Sequence, residues 1–361
     1  MHKTSGGYWL WVALLAGVMA IGAYAGLQIF LHGLSVTGLN DSAPWGLWIT
    51  LDLAAIGLSA GAFTLSAAVY LLGLTRLESV ARIAVFIGMI GYSMALLCFI
   101  LDIGRPERFW HGWVFWNPHS ILWEVTMCIT LYSSILLLEV LTIVAEHDRL
   151  KPYPVVHKIA GRLHSLLPVL AVIGMLLSLL HQSSLGATFG VIKARPIWYK
   201  PNMPILFMVS AVTAGSAFTI LVISVLSRLN KRPVVKWSLV EDVARFVGMA
   251  LLALLYLKFW DTLTTSYSYL PLRSEMLAET LQGSQALVFW GGEIILGGVL
   301  PAVMMLTPIF RKSINAMLFA SSLVVAGLIT NRWEVTMTGV LTPLSLAPVM
   351  PVATTGHYGP T

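Results

Sequence analysis

One stretch decides the fold: residues 83–101 read IAVFIGMIGYSMALLCFIL, nineteen residues without a charge. About 20 predominantly apolar residues cross the hydrocarbon core of a bilayer as one helix. The rest of the chain has the same character, because 57% of its 361 residues are hydrophobic and only 11% are charged. Soluble domains carry about 25% charged residues. The sequence therefore predicts an all-α integral membrane protein.

Similar stretches follow one another along the whole chain. The tail beyond Gly339 is also apolar, but Pro343, Pro348 and Pro351 interrupt it. The sequence thus predicts nine transmembrane helices and leaves a tenth open. The nine spans run roughly over Tyr8–Leu34, Pro44–Leu74, Ile83–Ile103, Ser120–Ala145, Leu163–Gly186, Pro204–Leu226, Val243–Leu263, Ala286–Ile309 and Ile314–Thr330.

Lysine and arginine residues are distributed unequally between the two ends of these spans. With the N-terminus inside, the inner segments hold 13 of them and the outer segments 7, Arg332 among the latter. Basic residues concentrate in cytoplasmic loops, so a cytoplasmic N-terminus is expected. The outer loops are instead aromatic, as at a membrane interface or beneath a docked partner. Their aromatic residues include Phe109, Trp110, Trp113, Phe115, Trp116, Trp198, Tyr199, Tyr267 and Tyr269.

The cysteines and histidines limit which cofactors the chain can hold. Only Cys98 and Cys128 are present, both inside apolar stretches. This excludes a disulfide framework, a cysteine-held iron–sulfur cluster and a c-type haem attachment site. No span offers two deep histidines, so a bis-histidine haem is not expected. No cluster is tight enough in the sequence to predict a metal site.

A faint internal repeat divides the chain. Ser59-Ala60-Gly61-Ala62-Phe63-Thr64 in the second span is similar to Ala214-Gly215-Ser216-Ala217-Phe218-Thr219 in the sixth. We therefore predict two pseudo-repeated four-helix bundles in parallel orientation. The alternative is chance similarity among small residues that let helices approach closely. The predicted parts are a flanking helix (1–43), a first unit (44–187), a second unit (188–332) and a tail or further helix (333–361).

Seven ionisable residues on six spans lie in the outer third of the predicted bundle. Charged groups inside spans are costly, and they usually face a bundle interior or a wet cavity. For some of them the alternative is a helix-end residue that reaches the interface, and Lys258 could simply pair with Asp261 on one helix face. The seven are Asp52, Asp102, Glu124, His181, Lys258, Asp261 and Glu293.

A quinone suits this set of groups better than a haem or a metal ion. Its two carbonyl groups need hydrogen-bonding partners, and its reduction takes up two protons, which histidine and carboxylates can exchange. Trp45, Trp48, Trp123 and Met127 would form a wall for the ring, although aromatic residues at span ends are more often interfacial anchors.

Four motifs in order resemble the NrfD/PsrC family of quinone-interacting membrane subunits, and most closely the HybB-type subunit of periplasm-facing nickel–iron hydrogenases. They are Pro44-Trp45-Gly46-Leu47-Trp48 followed by Asp52; Asp102-Ile103-Gly104-Arg105-Pro106; Asn117-Pro118-His119-Ser120 leading to Glu124; and His181-Gln182-Ser183-Ser184-Leu185-Gly186. HybB-type subunits continue into a tenth helix after a Tyr-x-Pro segment, whereas Tyr358-Gly359-Pro360 is followed here by Thr361.

The resemblance implies a multi-pass subunit of a prokaryotic cytoplasmic membrane, without its own haem or iron–sulfur cluster. A ferredoxin-like iron–sulfur subunit would dock on its periplasmic face and exchange electrons with menaquinone or ubiquinone. A hydrogenase or molybdoenzyme subunit beyond it would define the overall reaction.

The predicted roles divide into three groups. A quinone head is expected among Asp52, Glu124 and His181, which would exchange its protons, with Gln182, Trp48 and His119 beside it. Asp102 and Arg105 would hold the loop beneath the iron–sulfur partner. A proton route would use Lys258, Asp261, Glu293, Glu139 and Glu241.

Two other classes of protein remain open at this point. A secondary transporter also has parallel repeats and buried carboxylates, but its site usually lies near the midplane at broken helices. A passive structural anchor fits the topology and leaves the ionisable residues without a role.

Overall fold

The computed structural model describes residues 6–41, 43–145 and 154–341, which form helices joined by loops, with no β-strand in these ranges. Short 3₁₀ turns cover Gly33–Val36, Thr75–Leu77 and Pro106–Arg108. A π-helix covers Leu287–Val299. The α-helices are α1 (Gly6–His32), α2 (Leu47–Ser59), α3 (Gly61–Tyr70), α4 (Glu78–Asp102), α5 (His111–Val114), α6 (Ile121–Ala145), α7 (Pro154–Gly190), α8 (Met203–Leu229), α9 (Trp237–Tyr267), α10 (Pro271–Gln282), α11 (Leu300–Leu306), α12 (Pro308–Arg311) and α13 (Ile314–Leu341).

The prediction of an all-α protein with nine spans is confirmed for the described residues. The second span consists of α2 and α3, and the eighth consists of the π-helix and α11. The prediction left open whether the segment from residue 333 is a tail or the start of a tenth helix, and residues 342–361 lie outside the described residues. The nine spans are Gly7–Val36, Leu47–Tyr70, Thr75–Asp102, Ile121–Ala145, Ser165–Gly190, Met203–Leu229, Trp237–Tyr267, Leu287–Leu306 and Ile314–Leu341.

The two ends of the bundle differ in chemistry, and we name them accordingly. The aromatic face carries the exposed residues Phe109, Trp110, Trp113, Phe115 and Trp116, between α4 and α6. The basic face lies at the other end of α4, where Arg76 and Arg82 are found, and at the end of α8, which carries Arg228, Lys231 and Arg232.

The last helix is longer than predicted. The expected span ended at Thr330, because the polar sequence Asn331-Arg332-Trp333-Glu334 follows it, but α13 continues to Leu341. Arg332 is only 1% exposed, so its assignment to an outer loop was wrong. A helix can carry such residues through a bundle when they find partners inside it, and Arg332 does so. The predicted boundary at residue 332 therefore cuts through α13.

The polar helix α10 was not predicted. It lies between α9 and the π-helix on the aromatic face, with Pro271 in its first turn. Arg273 fixes it to the loop between α7 and α8 by donating to the carbonyl of Pro196 at 3.0 Å and to that of Tyr199. In the same loop, buried Arg195 donates to the carbonyl of Val340 at 2.9 Å, so α10, this loop and the end of α13 are tied together.

The two similar segments of the predicted repeat meet at the centre of the bundle. A Cβ atom on Gly61 would collide with the backbone of Gly215, and one on Gly215 would collide with the backbone of Gly61. Only glycine allows backbones to approach so closely. A segment that meets its own counterpart is expected at an axis of pseudo-two-fold symmetry. The division into a first and a second unit stays a prediction, and this contact supports it.

Helix packing is extensive both within and between the two predicted units. In the first half α4 packs on α2, α3 and α6, while α6 packs on α7. In the second half α13 packs on α8 and the π-helix, while α9 packs on α8 and α11. Between the halves, α8 contacts α2, α3 and α7. The helix α1 lies outside this arrangement, with Gly26 against Leu101 of α4.

Candidate functional site

His181 lies at the centre of the first unit. Its position on α7, nine residues before Gly190, is roughly 13 Å along the helix axis from the end at the aromatic face. The imidazole is fully buried, and its Nδ1 atom shares a hydrogen bond of 3.0 Å with the hydroxyl of Tyr92 on α4. Its Nε2 atom is buried and has no hydrogen-bond partner among the described residues. Buried polar atoms are nearly always paired, so this atom is a candidate for contact with a ligand.

Aromatic rings hold this histidine in place. The ring of Tyr132 on α6 lies 4.1 Å from that of Tyr92 and 4.3 Å from that of Phe63, measured between centroids. Gly174 on α7 makes room for Phe63, since a Cβ atom there would collide with its ring. Offset and tilted ring pairs at such distances are favourable. We call Phe63, Tyr92, Tyr132 and His181 the His181 cluster.

Gln182, the next residue, is oriented by a defect in the second span. The backbone N–H of Ala60 donates to Gly57, three residues earlier, at 3.3 Å, so the carbonyl of Ile56 loses the N–H that a regular α-helix would provide. The side-chain N–H of Gln182 donates to this carbonyl at 3.0 Å. Its Oε1 atom is then left buried and, within the described chain, without a partner.

The other two predicted catalytic residues lie around this cluster. Glu124, half-buried near the start of α6, accepts a hydrogen bond of 2.8 Å from Ser184, one turn beyond His181 on α7. Asp52 on α2 is 4% exposed, and its Oδ1 atom has no partner in the described part of the structure. Asp52 interacts electrostatically with Tyr92 and with Asp102. The first unit thus brings Asp52, Glu124 and His181 to one region.

The remaining predicted residues of the first unit lie nearer the surface. Trp48 is half-buried one turn before Asp52, and His119 is exposed in the loop before α6. Asp102 is half-buried at the end of α4, and Arg105 is exposed beyond it. Between them Gly104 adopts a left-handed conformation with φ of +75°, which glycine favours at the end of a helix.

The second unit holds a separate cluster, built on ion pairs. Lys258 on α9 pairs with Glu293 on the π-helix, and Asn331 on α13 donates to Glu293 at 2.8 Å. Arg332 donates to Asn331 at 2.8 Å and to Ser210 at 2.9 Å, and its guanidinium lies 3.8 Å from the centre of the Phe207 ring. We call Lys258, Glu293, Asn331, Arg332 and Glu334 the Lys258 cluster; Glu334 interacts with Glu293.

One interpretation of the sequence paired Lys258 with Asp261, but the structure shows no such ion pair. Asp261 accepts hydrogen bonds from Lys200 at 3.0 Å and from Asn202 at 2.8 Å, both in the loop before α8. The predicted proton route is also divided. Glu139 is buried in α6 of the first unit, whereas Glu241 lies near the start of α9 at the basic face. These five residues therefore do not form one continuous set.

Two cavities accompany the two clusters. One of about 580 Å³ is lined by α3, α7, α8 and α9, among others by Phe63, Ser178 and Gln182. The other, of about 90 Å³, is lined by Lys258, Glu293 and Glu334 with their neighbours. Ligand pockets are typically about 300–1,000 Å³, so the larger cavity, beside the His181 cluster, has the volume for a small molecule.

Comparison with known proteins places the chain in a family. Residues 35–344 match the family described as polysulphide reductase, NrfD. The chain belongs to the NrfD family. The menaquinone reductase integral membrane subunit of Nitratidesulfovibrio vulgaris is 35% identical over 98% of this chain and 85% of its own length. One subunit of the selenate reductase of Mesobacillus selenatarsenatis is 27% identical over 93% of this chain and 82% of its own length.

A hydrogenase relative is similar over a shorter region. The probable Ni/Fe-hydrogenase 2 b-type cytochrome subunit of Escherichia coli is 29% identical over 52% of this chain and 47% of its own length. The resemblance that the motifs indicated is confirmed at the level of the NrfD family.

Sequence reasoning missed several residues of the two clusters. Tyr92 and Tyr132 lie in apolar stretches, where tyrosine is counted as one more hydrophobic residue. Asn331, Arg332 and Glu334 were excluded because the ninth span was ended too early. One signal was available for the last of them, since Trp333-Glu334 repeats the dipeptide Trp123-Glu124 of the fourth span.

Proposed function

We propose that this chain is the membrane subunit through which an oxidoreductase complex exchanges electrons and protons with the quinone pool, and that the quinone ring binds at the His181 cluster. One observation carries the proposal: two adjacent buried residues, His181 and Gln182, each keep a polar atom without a partner in the described structure, and Gln182 lines the 580 Å³ cavity. The names of the menaquinone reductase and selenate reductase relatives support a quinone-linked complex.

His181 and Tyr92 are arranged for proton exchange. When Nδ1 accepts a hydrogen bond from the hydroxyl of Tyr92, Nε2 carries the ring proton and can donate it to a quinone oxygen. As the quinone takes two electrons, this proton moves to the oxygen, the proton of Tyr92 moves to Nδ1 and the imidazole changes tautomer. Tyr92 then regains a proton by way of Tyr132, from the carboxyl group of Glu139. The reverse sequence releases a proton from a quinol. Asp52, which interacts with Tyr92, and Glu124, which accepts a hydrogen bond from Ser184, would supply or accept the second proton.

The electrons require a redox partner, because quinone reduction takes two electrons and this chain needs a source or acceptor for them. An iron–sulfur subunit docked on the aromatic face fits this role, since exposed tryptophan and phenylalanine residues favour protein interfaces. Asp102 and Arg105 lie at the same face. That the chain itself holds no haem or iron–sulfur cluster is a prediction, which the visible absorption spectrum of the purified protein tests.

The orientation follows from the basic face. Its arginine and lysine residues favour a cytoplasmic location, which places the aromatic face and the partner on the periplasmic side. Protons could then cross through the first unit. Tyr132 interacts with Ser178 and Glu139, and Glu139 lines a small cavity with Glu78 and Arg82 at the basic face. We therefore propose the route from His181 through Tyr92 and Tyr132 to Glu139.

The test of the proposed function is the His181→Gln variant, assayed for quinone-linked electron transfer in membranes that contain the assembled complex. Loss of a general acid–base group typically costs 10²–10⁴-fold in rate, so a decrease of about 100-fold is expected. His32→Gln makes the same change at an exposed position on α1 and should leave the rate unchanged. Normal turnover in an assembled His181→Gln complex would overturn the proposal.

A further inference from the structure

The 580 Å³ cavity is a long groove between the two units. Its walls include Phe63 and Leu71 on one side, Leu179 of α7 on another, and Phe246 of α9 opposite. Lining residues extend from Ala60 to Leu77, which covers the whole of α3, roughly 15 Å of helix. The groove therefore reaches from the kink in the second span almost to the basic face.

The two ends of the groove have different chemistry. At the basic face, Arg76 and Asp242 form an ion pair of 3.1 Å, and Arg245 lies beside them. At the other end, deep in the bundle, lies Gln182, which is 1% exposed. Its amide N–H donates to the carbonyl of Ile56, and its Oε1 atom has no partner in the described ranges. Between these ends the lining is almost entirely apolar. The groove therefore fits an elongated apolar molecule with a hydrogen-bond donor at one tip.

Phe63 connects the groove to the His181 cluster. Its ring lines the groove and lies 4.3 Å from that of Tyr132, which in turn contacts Tyr92. A polar tip that reaches Gln182 would thus lie one residue along α7 from His181. Phe63 is therefore shared by the groove and the cluster.

We propose that this groove holds the polyprenyl tail of a quinol, with one ring hydroxyl donating to Oε1 of Gln182; the proposal rests on the proposed function. A quinone carbonyl cannot satisfy this atom, because both are acceptors, whereas a quinol hydroxyl can. The inner end of the groove therefore prefers the reduced form. A phospholipid would set its phosphate beside Arg76 and Arg245 but would bring only an acyl chain to Gln182, leaving Oε1 unpaired.

The first experiment compares quinols with and without a tail. Ala68→Trp fills the groove from α3, and Ala253→Trp makes the same change at an exposed position of α9. In membranes with the assembled complex, Ala68→Trp should raise KM for a long-tailed quinol by about tenfold. Loss of the burial of only a few methylene groups of the tail is enough for a change of this size. KM for a tailless quinol with the same ring should change less than about twofold, and Ala253→Trp should change neither. Equal shifts for both quinols would overturn the proposal.

A second pair of variants tests the ring contact. Gln182→Leu removes the acceptor and should raise KM for both quinols, while Gln182→Asn keeps both the N–H for the Ile56 carbonyl and the acceptor and should raise KM less. An equal effect of both variants would contradict the hydrogen bond from the quinol.

A third measurement needs no variant and does not depend on activity. A quinol analogue with a photoreactive diazirine at the end of its tail should label Leu72 or Phe246 of the wild-type complex. Labelling confined to α1 or α13, or an equivalent phospholipid analogue that labels Leu72 or Phe246 in place of the quinol, would overturn the tail site. Because labelling reports binding alone, it separates failure of this proposal from failure of the function proposed for His181.

Discussion

The His181 cluster and the Lys258 cluster hold their buried polar groups in different ways, although Nε of Arg332 and Oε2 of Glu334 in the Lys258 cluster also lack a hydrogen-bond partner among the described residues. In the Lys258 cluster a lysine pairs with a glutamate, an asparagine bonds to that glutamate, and an arginine bonds to the asparagine. In the His181 cluster one hydrogen bond fixes the imidazole, while Nε2 of His181 and Oε1 of Gln182 lack partners within the described structure. The larger cavity adjoins the His181 cluster and the smaller one the Lys258 cluster.

The difference favours the His181 cluster as the proposed ligand site. Buried charges are stable only when they compensate one another, and the Lys258 cluster largely meets that condition by itself. Unpaired buried polar atoms call for an explanation, and the quinone or quinol proposed above would provide one for those of His181 and Gln182. The two units are therefore expected to respond differently to substitution, the second in stability and the first in turnover.

The largest effect on stability is expected from Lys258→Met. Removing one partner of a buried ion pair leaves an uncompensated charge, which costs about 3–5 kcal/mol in the free energy of unfolding. Thermal unfolding of the purified protein measures this loss. The double variant Lys258→Met/Glu293→Leu should recover much of it, since both charges are gone. A double variant no more stable than Lys258→Met would show that the ion pair is not what holds this cluster.

A smaller loss, of about 1–3 kcal/mol from overpacking, is expected from Gly215→Val. The added side chain would meet the backbone of Gly61, so it would separate the units where they touch. Gly22→Val on α1 is the matched control, because a Cβ atom on Gly22 has no neighbour within 4 Å in the described structure. Equal thermal stability of the two variants would contradict a central contact at Gly61 and Gly215.

These comparisons also explain how far the sequence could lead. Hydrophobic stretches long enough to span a bilayer gave nine helices, because that signal is local. The predicted end of the last helix was wrong, because Arg332 is held in the bundle by contacts with Ser210 and Phe207, which are distant from it in sequence. His181 was predicted from its position along the fifth span, which also depends only on the local sequence. Its partner Tyr92 is 89 residues away, and no pattern in an apolar stretch predicts such a contact.

For the first unit, Tyr92→Phe should change turnover more than stability. Loss of one hydrogen bond costs only about 1 kcal/mol, whereas loss of the proton partner of His181 should slow quinone-linked electron transfer by roughly tenfold. Tyr256→Phe makes the same change on the exposed surface of α9 and should be silent. If both variants keep the wild-type rate, the proton relay through Tyr92 is wrong, whatever His181 itself does.

The smallest effect on turnover is expected from Glu139→Gln, and it separates proton transport from quinone chemistry. Glu139 is 2% exposed in α6, and neither carboxylate oxygen has a hydrogen-bond partner among the residues described. If the first unit carries protons, the variant should keep the electron-transfer rate within about twofold, because His181 and Tyr92 remain intact. The number of protons that cross the membrane per quinone should nevertheless fall.

Sealed vesicles containing the complex and an internal pH dye measure this ratio, with Glu275→Gln on the exposed side of α10 as the control. An unchanged ratio in Glu139→Gln, together with a reduced one in Glu293→Gln, would move the proton route to the Lys258 cluster and reverse the roles assigned to the two units.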